Sequence, residues 1–375
     1  MFSQLALSQL QELWWLLVAL LGSLLLFLSF VQGGQTLLST LAADEEQRAY
    51  LLELLERKKE LPFTTLVLFG GAIFAAFPLF YATSFSGAYW LWLALLFTFI
   101  LQAVSYEFRA KAGNLIGARG YELFLWLNGA LGMLLLGLVV GSLFTGSTFI
   151  LNERHQVTWL HPWRGLEAAT SIFATSFGFL FIFLARILGA LFFRNQARQA
   201  ELARRCETAA FHNLLACLPF LLVVLGGLLT LPGYGPLTPG GPIVAIKHKY
   251  LANLLAMPLG GLGFLLAGLV LLVVGVLLAY RRQQGQSIFL AGPGVVLIGL
   301  AVFSTAGFNN TAFYPSPFDP ASSLTIYNAS SSRYTLSAMS YIALAIPLVI
   351  AYIAYTWRLM DQGNNKSREE EVEEG

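Results

Sequence analysis

Ionisable side chains inside or beside long apolar segments are the residues of this sequence that could move a proton. Glu60 lies two positions before Pro62 at the start of one such segment, and Glu107 lies at the end of another. A carboxylate in either place can accept and release protons, or it can be a surface group with a local partner. For Glu60 the alternative to a proton-transfer role is that the positive N-terminal end of a helix dipole stabilises the carboxylate. Position alone leaves these alternatives open.

Other polar residues near the apolar segments have less direct chemistry. Gln32 and Gln35 end the first segment, and their amides can hold water or bond a neighbouring helix, but they do not titrate. Arg109 follows Glu107 closely enough to form a surface ion pair with it or to anchor the helix at the interface. Arg186 lies within the fifth segment, where it can snorkel to the surface, pair with a carboxylate or belong to a quinone site.

Motifs of several enzyme classes are missing from the sequence. It contains no Walker loop, no Rossmann glycine motif and no cluster of metal-ligand residues. Cys206 and Cys217 match no zinc or haem-attachment spacing. The four histidines fall in loops or at a helix end, whereas a haem takes axial ligands from inside a bundle. We therefore expect this chain to bind neither haem nor metal by itself.

The elements that position these residues are apolar helices. The chain is 57% hydrophobic and 11% charged, with mean hydropathy +0.69, whereas a soluble domain carries about 25% charged residues. A net charge of +2 gives no reason to expect nucleic acid as a partner. Because the apolar residues form long runs, the protein is predicted to lie in a membrane.

Nine of these runs approach the length of about 20 residues that crosses a bilayer. They indicate an all-α polytopic membrane protein with nine transmembrane helices. Pro78 in the second run and Gly292-Pro293-Gly294 in the eighth predict kinks or interruptions. The runs are residues 13–31, 63–83, 88–106, 122–145, 166–193, 211–231, 254–280, 288–307 and 336–356.

Basic residues predict the orientation of these helices. With nine spans, 16 of the 22 lysines and arginines fall on one side of the membrane and 5 on the other, with Arg186 left inside a span. The positive-inside rule then places the N-terminus outside and the C-terminus in the cytoplasm. Models with eight or ten spans lose this asymmetry.

The domain organisation follows from the same pattern. Residues 1–360 are predicted to form a single integral membrane domain. Its first cytoplasmic loop contains a short interfacial helix at residues 44–57, which Asp44 can cap. Residues 361–375 contain a run of glutamates and are predicted to be an acidic, disordered cytoplasmic tail.

Four stretches together resemble subunit II of the cytochrome bd-type quinol oxidases. The stretch from Ser323 to Leu336, which includes Ser330, Ser331 and Arg333, is similar to the family's signature before its last helix. The others are Gly70-Gly71-Ala72-Ile73-Phe74-Ala75-Ala76-Phe77-Pro78 in the second run, Tyr106-Glu107-Phe108-Arg109-Ala110-Lys111 after the third, and the pair Trp14-Trp15 in the first.

This resemblance implies an oxidase that couples quinol oxidation to the reduction of dioxygen to water. The family's haem b and haem d are carried by subunit I, and this chain would be its haem-free partner in a heterodimer in the cytoplasmic membrane of a prokaryote. The fold would be two four-helix bundles plus a peripheral helix. Membrane quinol and lipids would be further partners, and a small single-helix subunit is neither required nor excluded by the sequence.

The resemblance also assigns roles to single residues. Glu60 matches an acidic residue that opens a cytoplasmic proton path in the family, and Gln35 and Glu107 are the other candidates for that path. Many members carry Asp-Gly-Phe-Asp where this chain has Gln32-Gly33-Gly34-Gln35. A path here must therefore run over water held by Gln35, be rerouted or be absent. Gly70, Gly71, Pro78, Arg109 and the three signature-loop residues are expected to be structural.

Two other functions compete with this interpretation. A secondary transporter often uses broken helices, but it needs polar groups that converge near the midplane, and Asn128 is almost alone in the spans. A purely structural assembly subunit of the oxidase would need no proton path, and the two amides favour it.

Overall fold

The computed structural model describes residues 2–111, 113–238, 241–282 and 287–357. Helices dominate these ranges because almost every long segment is apolar and can satisfy its backbone only internally. The helices are α1 (Leu7–Leu28), α2 (Phe30–Leu41), α3 (Glu45–Glu56), α4 (Glu60–Ala76), α5 (Pro78–Phe80), α6 (Tyr89–Phe108), α7 (Gly117–Leu127), α8 (Met133–Thr145), α9 (Ile172–Gln196), α10 (Ala200–Thr230), α11 (Lys249–Ala256), α12 (Phe264–Arg282), α13 (Ile288–Gly307) and α14 (Arg333–Ala343).

Within the described ranges, nine helical segments are long and apolar enough to cross a membrane, which confirms the prediction. Some spans combine two helices, as α1 and α2 do in the first. The spans are Leu7–Leu41, Glu45–Ala76, Tyr89–Phe108, Gly117–Thr145, Ile172–Gln196, Ala200–Thr230, Pro258–Arg281, Ile288–Gly307 and Arg333–Trp357.

Spans five to eight pack in a ring, in which α9 contacts α10, α10 contacts α12, α12 contacts α13, and α13 contacts α9. In the other group α1 contacts α4, α2 contacts α7 and α6 contacts α7. The rings of Phe63 on α4 and Phe99 on α6 lie 5.9 Å apart and complete that group. The first span joins the two groups through α13 and α9, and the ninth lies outside against α1 and α4. This is the expected pair of four-helix bundles with a peripheral helix.

Close approach of α2 and α9 fixes the position of the first span. A Cβ atom at Gly33 would lie 1.8 Å from the carbonyl oxygen of Ala185, and one at Gly189 would lie 2.5 Å from the backbone nitrogen of Gly34. Only glycine permits these distances, so the two backbones touch directly. Such small-residue crossings are how helices pack closely in lipid.

Pro78 interrupts the second span as predicted. Helix α4 ends at Ala76, Pro78 begins the short α5, and a π-helical turn follows over Tyr81–Ser86. Pro293 does not interrupt its helix, because α13 runs from Ile288 to Gly307, and of the two predicted effects the kink stays a prediction. Its flanking glycines instead allow close packing, and a Cβ atom at Gly294 would lie 2.8 Å from the carbonyl oxygen of Gly268 on α12.

Several helix boundaries differ from the sequence prediction, among them the starts of the fifth and sixth spans. The fifth span begins at Ile172 and not at residue 166, because the Ser171 hydroxyl accepts the backbone N–H of Ala174 and caps the helix. The sixth begins at Ala200 and not at 211. Its charged first turns continue the helix beyond the apolar run, where Glu207 pairs with Arg194 of α9.

The first loop contains a helix where the sequence predicts one, α3, and its position at the membrane interface stays a prediction. The carboxylate of Asp44 accepts the backbone N–H of Gln47 at 2.7 Å, so Asp44 caps the helix as expected. Leu51, Leu52 and Leu55 are buried on one face. The acidic tail at 361–375 lies outside the described residues.

Three short β-hairpins, which hydropathy did not predict, occupy the connections. Their strands are β1 (Phe149–Leu151), β2 (Val157–Trp159), β3 (Gly233–Pro236), β4 (Ile243–Ile246), β5 (Ala312–Tyr314) and β6 (Leu324–Thr325), paired β1–β2, β3–β4 and β5–β6. The turn Pro320–Ser322 contacts β1 and β4, and β3 contacts β5. The hairpins therefore form one cap at one end of the bundle.

Candidate functional site

A cluster of three buried glutamines lies between the first and third spans. Gln32 and Gln35 are on α2 with a spacing that places them on one face, and Gln102 is on α6. The side-chain amides of Gln32 and Gln35 both donate to Oε1 of Gln102, at 3.0 and 2.7 Å. All three side chains are at most 4% exposed. We call this group the amide cluster.

Tyr106 extends the amide cluster toward the end of α6. It lies one helical turn after Gln102, and its hydroxyl oxygen accepts the amide of Gln35 at 3.2 Å. The ammonium of Lys59 lies 5.3 Å from the centre of the Tyr106 ring. Because Lys59 directly precedes α4 and is half-buried, this side of the cluster faces the end of the bundle that carries α3.

Two further polar residues continue the cluster deeper into the first bundle. Thr98 precedes Gln102 by one turn of α6, and its hydroxyl accepts the Asn128 amide at 3.3 Å. Asn128 is fully buried at the start of the π-helical turn Asn128–Gly132. A Cβ atom at Gly129 would lie 2.3 Å from the carbonyl oxygen of Gln32, so this turn touches α2 directly.

Three oxygen atoms of this polar group have no hydrogen-bond donor among the described residues. They are Oε1 of Gln32, Oε1 of Gln35 and Oδ1 of Asn128. An unmet buried acceptor costs about 1–3 kcal/mol, and buried water commonly supplies the missing donor. The arrangement can therefore bind water between apolar helices. None of the three amides can itself gain or lose a proton near neutral pH.

The structure does not bring Glu60 and Glu107 to the amide cluster. Glu60 is the first residue of α4 and is exposed, and its carboxylate has no hydrogen bond or ion pair to another described residue. Glu107 is exposed and pairs with Lys111 one turn later. Of the three proton-path candidates, only Gln35 lies in the buried polar group. Gln102 and Thr98 were not predicted, and their one visible signal is polarity within an apolar run; Tyr106 was noted only as part of a motif.

Arg109 has a different partner from the one the sequence suggested. Its guanidinium donates twice to Oε1 of Glu122 on α7, at 3.0 and 2.7 Å. The other carboxylate oxygen of Glu122 accepts Arg48 of α3 at 3.2 Å. The predicted pair of Glu107 with Arg109 is therefore wrong. Arg109 instead joins α6 to α7 through Glu122, which also pairs with Arg48 of α3.

Arg186 does not snorkel to the surface. Its Nε donates to the Asn213 side chain of α10 at 2.7 Å, and Nη1 donates to the Thr36 hydroxyl of α2 at 2.9 Å. The side chain thus bridges three spans through neutral groups. It holds α2 at Thr36, one helical turn after Gln32 of the amide cluster.

The motif in the last loop packs on the first and second spans. The Ser330 hydroxyl accepts the Gln11 amide at 2.6 Å, and the backbone N–H of Ser331 donates to the carbonyl oxygen of Ala76 at 2.8 Å. That carbonyl is at the end of α4, where Pro78 interrupts the span. Arg333 donates to the carbonyl oxygen of Leu5 at 3.0 Å. The last-loop motif and the motif at residues 70–78, which are distant in sequence, therefore meet where Pro78 interrupts the second span.

Gly70 and Gly71 do not lie at a close helix crossing within this chain. A Cβ atom at Gly71 would meet no atom within 4 Å, and one at Gly70 would meet only the ring of Phe85 at 3.5 Å. These glycines lie on the outer side of α4, among exposed apolar residues such as Val67 and Phe74. Close packing within the chain does not explain them.

The described residues do not fit a haem. They contain no group of three or more His, Cys, Asp or Glu side chains that could hold a metal ion. His155, His212 and His248 are exposed, and His161 lies in a loop beside Glu167. Met133 is buried, but no described histidine lies inside the bundle to complete an axial pair.

Comparisons with known proteins agree with this architecture. Residues 10–360 match the family described as cytochrome bd terminal oxidase subunit II. Since the match covers most of the chain, the protein belongs to this family of membrane-embedded oxidase subunits.

Individual relatives are distant but nearly full-length. The chain is 26% identical over 358 residues to the "Probable cytochrome oxidase subunit 2" of Haemophilus influenzae, covering 92% of each chain. It is 24% identical over 365 residues to the "Cytochrome bd-I ubiquinol oxidase subunit 2" of Escherichia coli, covering 93% of this chain and 94% of the relative. A chain of the solved bd oxidase of Geobacillus thermodenitrificans shares the fold, with TM-score 0.59 at 13% identity, covering 93% of this chain and 99% of that one.

Proposed function

We propose that this chain is the haem-free subunit II of a quinol:oxygen oxidoreductase in the cytoplasmic membrane of a prokaryote. It pairs with a subunit I that carries haem b and haem d, and the complex oxidises membrane quinol and reduces dioxygen to water. The observation that carries the proposal is the family match over residues 10–360. The asymmetry of basic residues supports an outside N-terminus and a cytoplasmic C-terminus.

Within this complex, the chain supplies a route for protons from the cytoplasm. The amide cluster, with Tyr106 on one side and Thr98 and Asn128 on the other, supports this part of the proposal. Its three unmet oxygens favour bound water, and a chain of water molecules can pass a proton without a titratable side chain. The cluster begins beside Lys59, on the side where most basic residues lie.

Glu60 is the proposed proton collector at the start of this route. It is exposed and lies next to Lys59, so it can exchange protons with solvent. Replacement by glutamine, Glu60→Gln, removes the titratable group and should slow quinol-driven oxygen uptake while haem content stays the same. The matched variant Glu60→Asp keeps the carboxylate and should largely preserve turnover. Unchanged turnover in Glu60→Gln would mean that protons do not enter through this residue.

A scaffold without a proton role is the second candidate function. The absence of a carboxylate from the amide cluster favours it, because many family members have two acids at positions equivalent to Gln32 and Gln35. In that case the cluster would serve only to join α2 to α6. Variants of the cluster separate the two functions, since a scaffold would lose assembly and haem content together with activity.

Co-purification tests the proposed function as a whole. The chain is co-expressed with the subunit I from the same genome, and the complex is isolated in detergent and analysed by absorption spectroscopy and oxygen uptake. We expect a one-to-one heterodimer with haem b and haem d bands that consumes dioxygen when quinol is added. Isolation of a stable, haem-free complex that consumes no dioxygen would contradict the proposal.

A further inference from the structure

An apolar cavity of about 130 Å³ lies at the junction of the two four-helix bundles. Residues from each of the first eight spans line it, among them Trp15, Val18, Phe69, Met133, Phe177 and Leu265. The lining contains no charged side chain and no amide. A cavity of this kind stays dry, and an engineered apolar cavity of about 150 Å³ binds xenon or benzene.

The few polar groups in the lining are already bonded. The indole N–H of Trp15 donates to the carbonyl oxygen of Phe303 at 3.0 Å, and that of Trp92 donates to Ser84 at 3.4 Å. The Cys217 thiol donates to the carbonyl oxygen of Leu214 at 3.0 Å. A quinone head group would leave its carbonyls without donors here. Cofactor-sized molecules also occupy larger pockets, of about 300–1,000 Å³.

The cavity reaches the outer surface of the bundle between α10 and α12. Leu218 on α10 and Val273 on α12 both line it, and they are 44% and 37% exposed. Both side chains lie in membrane-spanning segments, so this surface faces lipid or a partner helix. Small apolar molecules dissolve in the hydrocarbon of the bilayer and can enter there without crossing a polar layer.

We propose that this cavity is a binding site for dioxygen, filled from the membrane between α10 and α12, which supplies the oxygen-reducing complex. The inference rests on the proposed function, because dioxygen is the small apolar molecule that such a complex consumes. The size of the cavity, its dry lining and its connection to the lipid-facing surface all fit a diatomic gas.

Xenon tests the cavity itself, independently of enzymatic activity. The purified heterodimer is exposed to xenon under pressure and its structure is determined. Mass spectrometry of the same preparation identifies any lipid that co-purifies. We expect xenon in the cavity of the wild-type complex and reduced occupancy when dioxygen competes. The variant Val18→Phe, which fills the cavity, should lose xenon. The matched variant Val270→Phe, on the exposed face of α12 and outside the lining, should retain it.

Oxygen kinetics test the supply role. Val18→Phe should raise the apparent KM for dioxygen several-fold, while haem content and turnover at saturating dioxygen stay near wild type and Val270→Phe matches wild type. If Val18→Phe does not assemble, Leu136→Ala enlarges the same cavity and should increase xenon occupancy. A lipid or isoprenoid chain in the cavity, no bound xenon, or an unchanged KM in an assembled Val18→Phe complex would overturn the inference. Xenon bound in a complex without oxidase activity would contradict the proposed function instead.

Discussion

Neutral amides, with no carboxylate among them, form the buried amide cluster of the first bundle. Gln32, Gln35 and Gln102 satisfy one another's N–H groups in part, and their free oxygens can accept hydrogen bonds from water. A buried carboxylate would carry a large desolvation cost, and its pKa would shift until it became neutral. The amides avoid that cost. They also remove from the proposed path any group that titrates near neutral pH.

Substitution of Gln35 distinguishes a water-filled path from a simple helix contact. Gln35→Leu removes both the donor to Gln102 and the free acceptor, and we expect turnover to fall strongly while haem content is preserved. Gln35→Glu keeps the size and introduces an acid, so turnover should acquire a further dependence on pH. Oxygen uptake measured from pH 5 to 9 checks both variants. Wild-type turnover and an unaltered pH profile in Gln35→Leu would exclude a proton path at this residue.

At the scale of elements, hydrogen bonds from the last loop hold the end of α4, where the second span is interrupted, and the neighbouring helix α1. The signature loop bonds α1 through Ser330 and α4 through Ser331. Tyr327 adds a further tie, since its hydroxyl donates to the carboxylate of Glu12 at 3.0 Å. Partial burial and the hydrogen bond to Glu12 raise the pKa of Tyr327 to about 12, from an ordinary value of 10.0.

The hydrogen bond between Tyr327 and Glu12 predicts a loss of stability at alkaline pH. Because the pKa of Tyr327 is higher in the folded protein, the neutral phenol favours folding. Its contribution is complete below about pH 10 and disappears as the pH rises toward 12. In Tyr327→Phe, the melting temperature of the purified complex should start lower and fall less between pH 9 and 12. If the melting temperature of the variant fell as steeply as that of the wild type, other groups would control the loss of stability at alkaline pH.

The crossing of α2 and α9 predicts a strong effect from one methyl group. Gly33→Ala would place a Cβ atom 1.8 Å from the carbonyl oxygen of Ala185, so the helices must separate. We expect poor assembly or a melting temperature lowered by several degrees, consistent with a cost of about 1–3 kcal/mol for overpacking. Gly226→Ala on α10 is the matched control, because a Cβ atom there meets no atom within 4 Å. Equal stability of the two variants would contradict the described crossing.

Hydropathy predicts the nine spans well but not how they end. The apolar runs are about as long as a bilayer crossing, so local composition is enough to place them. The first turns of α10 are charged, and their helical form depends on partners such as Arg194 across the bundle. The hairpins form because loop segments meet one another in space. Neither effect leaves a periodic signal in the local sequence.

The candidate site was predictable only in part for a similar reason. Gln35 was identified from its place in a family motif, whereas Gln102 and Tyr106 gain their meaning from contacts between α2 and α6. Glu122 was missed as the partner of Arg109 because it lies on the next span. The sequence shows which polar residues enter the membrane. It does not show which of them meet.

At the scale of the whole molecule, the described residues form two helical bundles joined by the first span, and the proposed function places the redox chemistry in a partner subunit. The described residues provide a polar route, an apolar cavity and a cap of hairpins, but no pair of buried haem ligands. The outer face of α4 around Gly71 has room for a closely packed helix of another polypeptide. This body is suited to act as one half of a heterodimer.

Absorption spectroscopy of the chain purified alone and together with its subunit I tests the central claim most directly. We predict that haem b and haem d bands, and quinol-driven oxygen uptake, appear only in the heterodimer. The chain alone should show no haem absorption. A stable single chain that binds haem itself, or that transports a solute when placed in vesicles, would contradict the account.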